Sequence, residues 1–132
     1  MNVWMVLAVL AMGMVAGCSA SADCCGSGPS RGVVRHVVLL KFKETASADQ
    51  VKSIEEKFRA LKSRIPQIQD LEWGTNVSPE NHAQGFTHCF FLTFRDAAAR
   101  DAYLPHPAHK EFGAQLGPVL DKVCVVDYVS KD

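Results

Sequence analysis

The sequence predicts an α+β domain, one four-stranded antiparallel sheet with its helices on a single face. Three observations predict it. Four short segments carry β-branched and aromatic residues, and longer ones between them repeat apolar residues at helical spacing. The segments follow one another in the order βαββαβ. The first and third strand segments are apolar on both parities, although helices cover only one face of such a sheet.

Each element has a local reason. Val34 to Lys43 is the first strand, with His36, Val38, Leu40 and Phe42 on one parity and Val37, Leu39 and Lys41 on the other. Ser47-Ala48-Asp49-Gln50 is a capping-box pattern, and Val51, Ile54, Phe58, Leu61 and Ile65 follow at helical spacing. Pro66 ends that helix. Gln69 to Asn76 is the second strand and carries Trp73, and Val77 to Gly85 is a polar connector. Phe86 to Arg95, aromatic and β-branched, is the strongest strand signal. Asp96 to Tyr103 and Pro107 to Leu116 are helical, separated by two prolines. Asp121 to Val129 is the last strand. This order is the ferredoxin-like arrangement, in which the first and third strands form the central pair. Something must hide the uncovered apolar face. A second copy, sheet against sheet in a two-fold homodimer, is the simplest cover.

Composition narrows the partners. Among 132 residues, 14 basic and 14 acidic side chains cancel, so the basic surplus that nucleic acid needs is missing. Residues 1–17 carry no charge, and Val3 to Val15 is an apolar run of 13 residues. That is short for a ~30 Å hydrocarbon core but fits the apolar region of a signal peptide. The run ends Val15-Ala16-Gly17-Cys18, which resembles a bacterial lipobox, with cleavage before Cys18 and lipid on its sulfur. The usual Lys or Arg near the start is missing. The expected organisation is a signal peptide over 1–17, the lipidated cysteine and a Ser/Gly/Ala-rich tether over 18–32, and one folded domain over 33–132. The expected location is the bacterial cell envelope, anchored by lipid. Ser19 after the cysteine favours the outer membrane, facing the periplasm. Cys24 and Cys25 sit in the tether, where an intermolecular disulfide is available in an oxidising compartment.

The candidate site centres on Tyr103-Leu104-Pro105-His106-Pro107-Ala108-His109. Pro107 lacks an N–H and suits the first helical turn, with His106 at the cap. His106 and His109 then share one face of that turn. Two more imidazoles come from the central strands: His36 shares a parity with Val38 and Leu40, and His88 with Phe90, Leu92 and Phe94. Buried imidazoles need hydrogen-bond partners. Tyr103, His109, His36 and His88 are therefore expected to converge between sheet and helices, with Phe90 walling an apolar cavity. Cys89 adjoins His88 and points to the other face, against a local Cys–His nucleophile pair. A metal held by His36, His88, His106 and His109 is an alternative, but no supporting carboxylate is evident, and neither metal nor cofactor is expected.

His36-Val-Val-Leu-Leu-Lys41-Phe42-Lys43, Glu72-Trp73-Gly74, Gly85-Phe86-Thr87-His88, the Tyr103–His109 segment and Val126-Asp127-Tyr128 together resemble the stress-responsive dimeric α/β-barrel (Dabb) family over residues 33–132. The resemblance implies ferredoxin-like protomers that pair through their sheets into a dimeric α/β-barrel. It also implies Tyr103 and His109 as catalytic positions in a branch of polyketide cyclases, with His36 and His88 lining the pocket. An aldol closure needs a base for an acidic C–H and a donor to the developing oxyanion, roles that histidine and tyrosine can fill. The expected function is a membrane-tethered homodimer that binds a small apolar or aromatic molecule. The alternative is a lyase or cyclase using Tyr103 and His109.

Overall fold

The computed structural model describes residues 32–131. Cys18, Cys24 and Cys25, with the expected signal peptide, lie outside the described residues. The elements run β1 (Val34–Phe42), α1 (Ala48–Arg64), β2 (Ile68–Thr75), β3 (His88–Phe94), α2 (Ala97–Tyr103), α3 (Pro107–Leu116) and β4 (Leu120–Val129). The strands form one antiparallel sheet in the order β2-β3-β1-β4. This is the ferredoxin-like βαββαβ arrangement that the pattern predicts.

The local signals act where they stand. Ser47 caps α1 reciprocally: its hydroxyl accepts the Gln50 N–H at 3.2 Å, and its own N–H donates to Gln50 Oε1 at 2.8 Å. Pro66 stops the helix just after Ile65, whose N–H still reaches the Leu61 carbonyl at 2.9 Å. Asp96 caps α2 by accepting the Ala99 N–H at 2.8 Å. One expectation is shortened. The third strand starts at His88, because Gly85, with φ near +85°, and the Phe86 N–H to Ala83 carbonyl bond of 2.8 Å hold residues 83–86 in a turn.

The helix-facing surface of the sheet holds the core. Phe58 of α1 stacks on Phe90 of β3 with ring centroids 3.9 Å apart, and Phe112 of α3 meets Phe58 edge-on at 4.9 Å. Leu40, Leu61, Ile65, Leu92 and Phe94 are fully buried around them. Among the described residues, no helix lies over the opposite surface. There Val37 lies between Phe91 and Val126, and Leu39 between Cys89 and Cys124. On β4, Val123, Val125, Val126, Tyr128 and Val129 are exposed. An uncovered apolar face bordered by a valine-rich edge strand is what soluble monomers avoid. Cys89 and Cys124 are both free. Two strand spacings, about 9.5 Å, put them beyond disulfide reach. Among the described residues, no helix is long and apolar enough to cross a membrane.

Candidate active site

His36 lies on the helix-facing side of β1 and is 4% exposed. The β1–β4 register sets Asp127 directly beside it. Their side chains meet, His36 Nδ1 to Asp127 Oδ1, at 2.5 Å. The second carboxylate oxygen, Oδ2, accepts from the Arg100 guanidinium of α2. Arg100 also donates to Asp101 at 2.8 Å. A carboxylate only accepts, so Nδ1 of neutral His36 carries the proton and Nε2 is left as a base. Burial pulls the His36 pKa below its ordinary value of 6.5, and the Asp127 hydrogen bond and charge oppose that pull.

Tyr103 closes α2 with only 1% of its surface exposed. Its ring stands edge-on to His36 at 5.6 Å, lies at 5.0 Å from Phe94 and contacts the His109 ring at 4.3 Å. Burial first, then the nearby Asp127 charge, pushes the phenol far above its usual value of 10. The hydroxyl therefore stays protonated and serves as a donor. His109, in the first turn of α3, is half-buried and donates Nδ1–H to the Leu104 carbonyl at 2.9 Å. That bond fixes its neutral tautomer and leaves Nε2 bare. His106 has a structural contact: its Nδ1 accepts the Ala108 N–H at 3.2 Å, capping α3, with Pro107 in the first turn.

The structure brings together His36, Tyr103 and His109, but not His88. His88 pairs with Leu40, whereas His36 pairs with Leu92. Four residues of strand, about 13 Å, separate the two imidazoles along the sheet. Parity assigned them to one face correctly, but parity carries no information on position along the strand. His88 instead bonds Thr87 Oγ1 through Nδ1 at 2.8 Å and Glu55 Oε1 through Nε2 at 3.0 Å. Phe90 stacks in the core between Phe58 and Trp73 and lies away from Tyr103. The four-imidazole metal arrangement does not form, and among the described residues no group of three metal-ligating side chains gathers. Asp127, Arg100 and Glu55 are the partners that sequence reading missed. Asp127 was within reach of it, since it shares a parity with Val125 and Val129 on the strand next to His36.

Residues 34–130 match the stress responsive A/B barrel domain family. The chain belongs to this family. It is 38% identical over 99 residues to the stress-response A/B barrel domain-containing protein HS1 of Arabidopsis thaliana, covering 75% of this chain and 91% of that one. Olivetolic acid cyclase of Cannabis sativa is 31% identical over 74% of this chain and 97% of its own length. Among solved structures, the hydroxynitrile lyase of Passiflora edulis superposes with a TM-score of 0.73 at 29% identity, covering 77% of this chain and 96% of that one. A protein of Jannaschia sp. CCS1 described as dimeric and ferredoxin-like superposes with a TM-score of 0.66 at 27% identity, over 75% and 100% of the two chains.

In this A/B barrel domain a half-open cavity of about 480 Å³ lies elsewhere, at the β2–β3 connector and the uncovered side of the sheet. Tyr103 and His36 are closed off in this conformation. His109, bonded to the carbonyl of the exposed Leu104, brings this group toward the surface at the α2–α3 corner.

Proposed function

We propose that this domain works as a homodimer that binds a small apolar or aromatic carbonyl compound at the α2–α3 corner, against Tyr103 and His109. One observation carries the reading: a protonated buried phenol stands between two imidazoles, each with its Nδ1 proton committed to an acceptor. Such a site offers a hydrogen-bond donor and bare ring nitrogens inside aromatic walls, which suits a neutral carbonyl ligand. Pairing through the uncovered sheet face is supported by the apolar surface of Val37, Leu39, Phe91 and Val126 and by the dimeric relative. Benzaldehyde is a suitable probe, titrated calorimetrically into the processed chain. Tyr103→Phe should weaken binding at least ~10-fold, the worth of one hydrogen bond of ~1.4 kcal/mol, with little change in melting temperature. Equal binding by the variant would remove Tyr103 from the site. Phe91→Glu should turn a sedimenting dimer into a monomer, and a wild-type chain that sediments as a monomer at micromolar concentration would sink the pairing.

The second reading, a lyase or cyclase, is favoured by the His109 tautomer. Its bare Nε2 can take a proton from an acidic C–H or O–H while the Tyr103 hydroxyl donates to the oxygen that gains charge. The cyclase and the hydroxynitrile lyase among the relatives bear names that fit such proton transfer. Mandelonitrile cleavage, followed as benzaldehyde release, tests it directly. Turnover that falls ~10²-fold or more in His109→Ala and Tyr103→Phe supports it, and no turnover above buffer rejects it for this substrate class.

Membrane tethering through Cys18 completes the proposal, and its support is the Val15-Ala16-Gly17-Cys18 motif. Cys18→Ser should abolish acyl mass and detergent partitioning in a bacterial host. Identical partitioning of both chains would reject the anchor.

A further inference from the structure

The 480 Å³ cavity has a built polar end that the Tyr103 cluster does not use. Its walls include Leu39, Cys89 and Cys124, on the sheet face that the proposed homodimer pairs through, with Gly74 and Phe86 beside them. His82, Asn76 and Gln84 join from the connector, and among the described residues no Lys, Arg, Asp or Glu lines it. Thr87 reaches it from the start of β3, with its backbone pinned by the Thr87 N–H to Leu40 carbonyl bond of 3.0 Å and the Asn76 N–H to Thr87 carbonyl bond of 2.8 Å. Behind Thr87, His88 lies under Trp73 and edge-on to Phe42, so its ring is held in place. Glu55 and Thr87 engage its two nitrogens.

The proton order in this chain follows from the groups. The Glu55 carboxylate accepts, so His88 donates through Nε2, and in the neutral imidazole that leaves Nδ1 without a proton. Nδ1 is then an acceptor, and the Thr87 hydroxyl proton goes to it. Thr87, which lines the cavity, then keeps the lone pairs of Oγ1. It can accept a hydrogen bond from a ligand but has no proton to give.

Gly74 is the second, independent observation. It sits in β2 opposite Cys89. Its φ lies outside the left-handed region, and a Cβ built there meets nothing within 4 Å. Neither backbone conformation nor packing calls for glycine, and in a strand interior glycine costs stability. What it does here is leave the cavity open. The connector above, with Asn81 and Gln84 at positive φ, holds a strained conformation of the kind that clusters at ligand sites.

We infer that this cavity is a second small-molecule site, separate from Tyr103, for a neutral, largely apolar molecule with one hydroxyl donor, of the phenol class, whose O–H is accepted by Thr87 Oγ1. The inference does not depend on the carbonyl-binding reading above.

The test uses 2-naphthol and its methyl ether, 2-methoxynaphthalene, which keeps the shape and loses the donor. Both are titrated into the processed chain by fluorescence. 2-Naphthol should bind at least ten-fold tighter than the ether. Thr87→Val should reduce 2-naphthol to the affinity of the ether. Gly74→Leu should weaken both at least ten-fold while the melting temperature holds or rises, which separates a filled cavity from a damaged fold. Tyr103→Phe should change neither. Equal affinity for the two probes, no binding of 2-naphthol at millimolar concentration, or indifference to Thr87→Val overturns the inference. Loss of 2-naphthol binding in Tyr103→Phe alone overturns it too, and leaves the carbonyl site standing.

Discussion

The helix-facing side of this sheet carries two buried histidines, and they have been given different surroundings. His36 takes its carboxylate from the neighbouring strand, and that carboxylate is tied in turn to Arg100. His88 takes its carboxylate across the layer gap, from α1, and passes its other nitrogen to a hydroxyl on the cavity wall. At the first end the imidazole is one of three rings packed together, and the phenol beside it is closed from solvent. At the second end the chain of hydrogen bonds leads outward. A buried histidine is thus defined by where its second nitrogen leads, because its first partner is a carboxylate in both cases.

Between the ends stands an aromatic wall, Phe58 on Phe90 on Trp73. The largest expected effect comes from removing its middle member. Phe90→Ala should cost about 3–5 kcal/mol, because a fully buried ring leaves a cavity that two stacked neighbours cannot close. In a domain of this size each kcal/mol lowers the melting temperature by ~4 °C or more. A loss under 1 kcal/mol in denaturant melts would mean that the two ends are not separated by packing at all.

The carboxylates give the next and more discriminating pair. Asp127→Ala strips a partner from a His36 that is 4% exposed and from Arg100 together, and should cost about 1–3 kcal/mol. Glu55→Ala should cost less, about 0.5–1 kcal/mol, because Thr87 still engages His88 and the Glu55 side chain is partly solvated. If chemical denaturation ranks Glu55→Ala above Asp127→Ala, the outward-leading end is the more structural of the two.

How far this was legible in the sequence differs between fold and site. Each strand and helix announced itself by period and punctuation: the Ser47–Gln50 box, Pro66 and Pro107 all act where the residues put them. The face on which each strand histidine lies was also legible, since parity dictates it. Position along the strands was not. Whether His36 meets His88 depends on the β1–β3 register, and register is set by hairpin geometry and by the summed packing of both faces. Glu55 was hidden for a related reason: it stands 33 residues from the histidine it holds, and no local pattern marks the pair. Asp127, 91 residues from His36, had its face legible in parity but not its register. The Thr87 relay hid behind adjacency, since neighbouring strand residues point to opposite faces and yet a threonine hydroxyl reaches back to the next imidazole.

The smallest effect is the most specific to the His36 end. Burial holds the folded-state pKa of His36 below 6.5, so as pH falls the unfolded chain takes the proton first. The contribution of this group to stability is therefore complete above about pH 6.5 and is lost as pH drops through that value to the depressed folded one. Guanidinium midpoints measured from pH 7.5 downward should decline over that interval, and part of the decline should vanish in His36→Asn. Asp127→Asn supplies the sharper form of the test. The carboxylate is what raises the His36 pKa against burial, so its amide should let the imidazole titrate at still lower pH, seen in the chemical shift of its ring protons. A titration that moves upward in Asp127→Asn would show that the carboxylate does not raise the His36 pKa, and a wild-type His36 that titrates above 6.5 would show that burial is not the dominant influence and that the closed end does not keep a neutral base.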